Sequence, residues 1–193
     1  MKKIIICLVV YVMIFTLCSC GNNNSSGTEQ SGVGQSDSGN GTLALTLSQI
    51  NTINLEGEEF TGYDFPENKL IVLNLWATWC PPCIEELPYL QEVSEYYADK
   101  GVEIIGILID GVSDNLEPDN SVIDAGKELL AEAGANYKVI IPDEVLMNEL
   151  VAQVQAIPTT FFMDSKGNIV GGVVGSKNAE DWKKEIDGAL KKI

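Results

Sequence analysis

The 193 residues contain no histidine and no arginine; all 12 basic side chains are lysine. Without imidazole the chain cannot build a Ser–His–Asp triad, a Cys–His nucleophile pair or a histidine-ligated metal or haem site of its own. Cysteine is scarce too. Cys7, Cys18, Cys20, Cys80 and Cys83 are the full set, and none follows Cys83. Base is in short supply: 12 lysines face 28 acids, for a formal net charge of −16. An acidic surface disfavours nucleic acid and anionic membrane surfaces as partners, and its plainest meaning is solubility. A long apolar run is also lacking. Ile4–Leu17 holds fourteen mostly apolar residues, the length of a signal h-region and short of a membrane span.

What is present is organised around Lys69–Pro88, KLIVLNLWATWCPPCIEELP. Leu70, Ile71, Val72, Leu73 and Leu75 form the near-continuous apolar run of a strand covered on both faces. Pro81 and Pro82 cannot continue a strand but are tolerated in the first turn of a helix. Cys80 therefore falls at or next to an N-cap, with Cys83 one turn on. Free backbone N–H groups and the positive end of the helix dipole favour a thiolate there. The pair reads as a thiol–disulfide centre. Half of a zinc site is a competing reading, but such a site takes four ligands and often a second Cys pair or histidines, whereas the chain has no histidine and no cysteine after Cys83. A purely structural disulfide is another, although so short a loop removes little chain entropy.

Around this stretch the chain divides into three parts. Met1-Lys2-Lys3 is a short basic start to the apolar run, and Leu17-Cys18-Ser19-Cys20-Gly21 follows it. That pentapeptide resembles the lipobox of bacterial lipoproteins. The resemblance implies a signal peptide over 1–19, cleavage before Cys20 and a diacylglyceryl anchor on Cys20; an uncleaved anchor is the alternative. Both place the remainder outside the cytoplasm. Residues 20–42 then comprise the lipidated cysteine and an Asn/Ser/Gly-rich disordered tether. Its 21 residues from Gly21 to Gly41 give an r.m.s. reach of about 25 Å.

The folded domain is expected over 43–193. Thr42–Ile53 reads as an edge strand and Asn54–Phe60 as a turn or hairpin. Strands are expected at Leu70–Trp76, Val102–Asp110 and Tyr137–Ile141, with a hairpin of Thr159–Met163 and Ile169–Val174. Helices are expected from Cys80 towards Lys100, kinked at Pro88 and stopped by Gly101, then over Asn120–Ala133, Glu144–Gln153 and Ala179–Ile193. Ser113–Pro118 is a polar loop. Alternating strands and helices closed by a hairpin and a helix imply an α/β fold, a mixed sheet covered on both faces.

Trp79-Cys80-Pro81-Pro82-Cys83 after a buried strand, with Ala156-Ile157-Pro158-Thr159-Thr160-Phe161-Phe162 much later, resembles the thioredoxin fold. The tail Ile84-Glu85-Glu86-Leu87-Pro88 narrows the resemblance to TlpA/ResA-like membrane-anchored thiol–disulfide oxidoreductases. It implies a three-layer thioredoxin-like domain with an extra helix between core strands, matched by Asn120–Ala133. By resemblance and chemistry together, Cys80 is the nucleophile and Cys83 the resolving cysteine. Glu86, in register with Leu87 and Leu90, is a half-buried acid that exchanges a proton with a thiol; a solvated helix glutamate is the alternative. Pro158 is implied to be a cis-proline that leaves the Ile157 backbone free for a substrate strand, with an ordinary trans-proline as the alternative. Trp79, Pro81, Ile157 and Pro158 form the substrate-binding face, together with the 111–120 loop. Trp76 either walls the site or packs the core.

The resemblance favours an extracytoplasmic reductase of protein disulfides, fed by a membrane thiol transporter of the CcdA type and acting as a monomer without cofactor. Its partners would be apocytochrome c or an oxidised repair enzyme. A dithiol oxidase is the runner-up, though such oxidases usually carry a histidine inside the motif. A peroxiredoxin-type peroxidase needs Pro and Thr where Leu73 and Ala77 stand. A non-catalytic binding lipoprotein would leave the cysteine pair unexplained.

Overall fold

The computed structural model describes residues 43–65 and 70–193. The expected signal peptide over 1–19, lipidated Cys20 and tether to residue 42 lie outside the described residues. In chain order the elements are β1 (Asn51–Ile53), β2 (Glu59–Thr61), β3 (Leu70–Trp76), α1 (Pro81–Tyr97), β4 (Val102–Leu108) and α2 (Asn120–Glu132). There follow β5 (Lys138–Ile140), α3 (Glu144–Glu149), β6 (Thr159–Met163), β7 (Ile169–Val174) and α4 (Ala179–Leu190).

Five strands form one mixed sheet in the order β5-β4-β3-β6-β7. β3, β4 and β5 run parallel, while β6 and β7 pair antiparallel. Every residue of β3 is buried, as expected of a central strand with both faces covered. Strand alternation divides the core in two. Leu70, Val72 and Trp76 join α1, α2 and α4 through Leu87, Leu90, Ile123, Leu130, Trp182 and Ile186. Ile71, Leu73 and Leu75 face the other way, with Leu146 and Leu150 at α3 and Leu45, Ile50, Phe60 and Phe65 of the N-terminal segment. Helices on both faces make the expected three-layer α/β fold, with α2 inserted between β4 and β5.

The N-terminal stretch corrects the expectation of one edge strand over Thr42–Ile53. Ala44 bridges Asn168, Leu47–Gln49 makes a 3₁₀ turn, and only Asn51–Ile53 pairs, with β2. Leu45 and Ile50 are both buried yet five residues apart, so a straight strand would send them to opposite faces. The segment also closes the sheet on the β5 side: Leu55 N–H donates to Val139 O at 3.1 Å, and Ile141 N–H to Ile53 O at 3.2 Å.

Helix ends follow their sequence signals. Asp119, Asp143 and Asn178 cap α2, α3 and α4 with side-chain oxygens. α1 runs as one helix through Pro88, gives way to a 3₁₀ turn over Ala98–Lys100, and is stopped by Gly101 at φ 75°. α3 is likewise shorter than expected, with a 3₁₀ turn over Val151–Gln153.

Gly106, opposite Asn74 on β4, is a close-approach glycine. A Cβ there would stand 2.9 Å from Val139 Cγ2 and 3.2 Å from Trp76 Nε1. Gly106→Ala should therefore cost about 1–3 kcal/mol by overpacking. A denaturant midpoint unchanged from the parent would show that this region yields freely.

Candidate active site

Cys80 is the N-cap of α1, with Pro81 and Pro82 as its first two residues. The site sits at the C-terminal end of β3, held by hydrogen bonds that sequence reading did not foresee. Asp110, just beyond β4, accepts from Thr78 Oγ1 at 2.6 Å and from Thr78 N–H at 3.1 Å. Ile109 N–H donates to Trp76 O at 2.9 Å. The segment from Trp76 to Cys80 is thereby tied to the neighbouring strand.

Cys80 and Cys83 form a disulfide with sulfurs 2.03 Å apart and Cα atoms 5.3 Å apart. Cys83 is fully buried and Cys80 only 3% exposed, so the expected contrast in exposure is small in the oxidised pair. The expectation of free N–H groups behind Cys80 needs correcting. Pro81 and Pro82 have none, and the N–H groups of Cys83 and Ile84 both donate to Cys80 O, at 3.0 and 3.1 Å. Support for a Cys80 thiolate from the helix start is left to the dipole rather than to those donors.

The Ile157–Pro158 bond is cis. The β3–β6 pairing sets Leu75 against Thr159, which brings this loop to the same end of the sheet as the cysteines. Pro158 is buried, and among the described residues Ile157 makes no backbone hydrogen bond. Trp79 is 68% exposed, whereas Trp76 is fully buried and belongs to the core. Trp79, Ile109, Val151, Val154 and Ile157 line an apolar groove of about 390 Å³. A larger cavity of about 730 Å³ lies among the end of α1, α2 and the start of β5, and no cysteine lines it. Pro81 and Glu85 point to solvent.

Glu86 is not half-buried but buried, 1% exposed. Asn74 Nδ2 donates to Glu86 Oε1 at 2.9 Å and to Thr160 Oγ1 at 3.0 Å; Lys177 N–H donates to Glu86 Oε2 at 3.2 Å. Desolvation pushes its carboxyl up to about 7, against the pull of these donors, the Trp182 indole and the Lys177 charge. The indole N–H reaches the carboxylate too loosely to count as a hydrogen bond. On one turn of α1, three residues from Cys83, stands an acid poised to gain or lose a proton near neutrality.

A redoxin family model matches residues 39–190. Thiol-disulfide oxidoreductase ResA of Bacillus thuringiensis (strain Al Hakam) is 34% identical over 139 residues, 72% of this chain and 71% of that protein. The chain belongs to the redoxin family, among the ResA-type thiol–disulfide oxidoreductases. This redoxin is also 28% identical to thiol:disulfide interchange protein DsbE of Pasteurella multocida, over 100% of this chain and 97% of that one. Its fold matches a thioredoxin-family thiol:disulfide interchange protein from Chlorobium tepidum TLS, with TM-score 0.60, 24% identity and coverage of 77% and 95% of the two chains. ResA-type redoxins exchange thiols and disulfides with protein substrates, and the Cys80–Cys83 pair is the group in this chain suited to that exchange.

Sequence reading missed Asn74, Thr160, Trp182 and Asp110. Asn74 carried a usable signal, as the one polar residue inside β3. Trp182 read only as an apolar helix face, and nothing local marks Asp110.

Glu86 also makes stability depend on pH. Its folded-state pKa of about 7 exceeds the ordinary 4.5, so across that window the folded chain holds more protons than the unfolded one. Stability then falls as pH rises from about 4.5 to 7, by about 3 kcal/mol in all. Glu86→Gln, with no charge to bury, should flatten this decline and be the more stable form at pH 8. Parallel pH profiles for the two proteins in denaturant melts would contradict the raised pKa.

Proposed function

We propose that this chain is a lipid-anchored, extracytoplasmic reductase of disulfides in partner proteins. The observation that carries the reading is the buried, near-neutral Glu86 one turn from Cys83, behind a Cys80–Cys83 pair at a helix start. The Cys80 thiolate attacks a partner disulfide, forming a mixed disulfide and releasing one partner thiolate, which takes up a proton. Glu86 accepts the Cys83 proton. The Cys83 thiolate then attacks the Cys80 sulfur and releases the second partner thiolate, to which the proton passes. Two electrons go to the partner, and the centre is left as the disulfide.

Trp79, Pro81, Ile157 and Pro158 are the substrate face in this reading. The unpaired Ile157 backbone receives an extended segment of the partner, and the apolar groove beside Trp79 receives a side chain of it. Residues 1–19 act as signal peptide, Cys20 carries the lipid, 20–42 form the tether and 43–193 the working domain, a monomer without cofactor. Among the described residues no helix is long and apolar enough to cross a membrane. In this reading attachment rests on Cys20. A membrane thiol transporter of the CcdA type re-reduces the centre. Apocytochrome c, or an oxidised repair enzyme such as methionine sulfoxide reductase, is the partner class. Reduction rather than oxidation is favoured by Pro81-Pro82, which place no histidine beside the thiolate, and by the ResA and DsbE relatives.

The deciding measurement is the reduction potential of the Cys80–Cys83 couple, by equilibration with glutathione or dithiothreitol. A value at or below about −230 mV is expected. One near about −120 mV would instead make the chain a dithiol oxidase. Cys83→Ser, unable to resolve, should accumulate a mixed disulfide between Cys80 and the partner, visible on non-reducing gels.

A further inference from the structure

Between β7 and α4 the chain makes a short turn that holds two parts of the site at once. Gly175 N–H donates to Pro158 O at 2.8 Å, and two residues on Lys177 N–H donates to Glu86 Oε2 at 3.2 Å. Gly175 takes φ 92°, a conformation open to glycine and costly for any side chain. Asn178 then caps α4, its side chain accepting from Asp181 N–H. Lys177 is therefore fixed from both sides, by the bond to the proline loop before it and the helix cap after it. The turn reaches this place because β7 lies beside β6, with Val174 opposite Thr159.

Any residue except proline at 177 could supply the N–H. Lysine adds a charge, in a chain with 12 bases to 28 acids. Its side chain is only 25% exposed, and Nζ lies 3.4 Å from Glu185 Oε1, so the ammonium is kept along α4 rather than loose in solvent. From there it acts on the Glu86 carboxyl and favours the anion. The other groups around Glu86 bring no charge. Asn74, its partner Thr160 and Trp182 are neutral, and Cys83 does not titrate in the disulfide. Tyr137, just before β5, stays protonated, since burial and the Glu86 charge both push its phenol up. Glu85 of α1 points to solvent, and α2 buries no charged side chain.

We propose that Lys177 is a positioning residue for the thiol chemistry: pinned through Gly175 to the proline loop, it holds a donor and a positive charge on Glu86 and keeps that acid able to take the Cys83 proton. The proposal rests on the reading of Glu86 as proton acceptor. Only the ionised acid can accept, and burial alone would leave it neutral. Lys177 keeps a share of it ionised at neutral pH, and also favours passing the proton on to the departing partner thiolate. Lys177 acts through Glu86, not on the sulfurs.

The test uses the oxidised full-length chain, in which no thiol of the redox pair and no histidine competes, with the Glu86 carboxyl carbon followed by NMR across pH. Lys177→Met keeps the N–H and removes the charge; Lys177→Gln does the same should methionine disturb the fold. Either should raise the Glu86 midpoint by about half a pH unit, a threefold loss in the ionised-to-neutral ratio at a given pH. Lys177→Arg should restore the parent midpoint. Gly175→Ala, whose Cβ would meet nothing within 4 Å, strains the turn without crowding it and should raise the midpoint as well. In the reduced chain, the pH profile of exchange with oxidised glutathione should move up with the midpoint in Lys177→Met. A lysine that merely buttressed α4 would change stability and leave the midpoint in place. An unshifted Glu86 midpoint in folded Lys177→Met and Lys177→Gln, or a shift that arginine does not reverse, overturns the proposal. Glu86→Gln separates it from the reading beneath. If that variant leaves the exchange profile unchanged while Lys177→Met shifts the Glu86 midpoint, the proton-acceptor role fails and the hold of Lys177 on Glu86 stands.

Discussion

A carboxyl group with almost no access to solvent sits against the middle of the sheet, and much of the surrounding architecture exists to tolerate it. Glu86 draws a donor from the central strand, through Asn74, and another from the backbone ahead of the last helix, at Lys177. Those donors stop short of making the anion comfortable, and the acid is left close to indifferent between its two protonation states. A fully solvated glutamate would stay ionised beside Cys83 at neutral pH. One buried with no donors at all would stay protonated. Partial satisfaction is what suits it to thiol chemistry.

The centre draws on segments that are distant in the chain. Cys80 ends the turn out of β3, and the cis-proline loop leads into β6, nearly eighty residues later. The two meet because β3 and β6 are neighbours in register, Leu75 opposite Thr159. The same pairing sets Asn74 against Thr160 and completes the polar bridge to Glu86. One antiparallel ladder therefore aligns both the substrate face and the buried acid. Asp110 does a comparable service from the parallel side, where β4 lies beside β3 and fixes Thr78.

Much of this was legible in the residues. The apolar run of β3, the double proline and the cysteine spacing are local signals, and each produced the element it predicts. The register of Glu86 with Leu87 and Leu90 pointed it inward correctly, though not how completely it is enclosed, because the enclosing Trp182 comes from the far end of the chain. What was hidden depended on partners. Asn74 could be seen as polar in an apolar strand, but what it binds is fixed only by the fold. The N-terminal stretch failed as a strand because Leu45 and Ile50 answer to the same core from an odd spacing. The helix start offered fewer donors than a generic one, because Pro81 and Pro82 carry no N–H, a point legible in the sequence but overlooked in the expectation of free donors.

The way the backbone comes into the domain has its own implication. Leu43 accepts from Ile169 N–H, and Ala44 bridges Asn168, beside the turn between β6 and β7. β6 runs from Thr159, next to the cis-proline, to Met163 at the far end, about 13 Å away. The entry of the chain into the domain and the sulfur atoms therefore occupy opposite poles of the sheet. Under the proposed Cys20 anchor, such a domain would carry its chemistry outward, like a lamp on a flex. Clients in the surrounding space would then meet the reactive end first, and the proposed membrane donor would be met only after the domain has turned over.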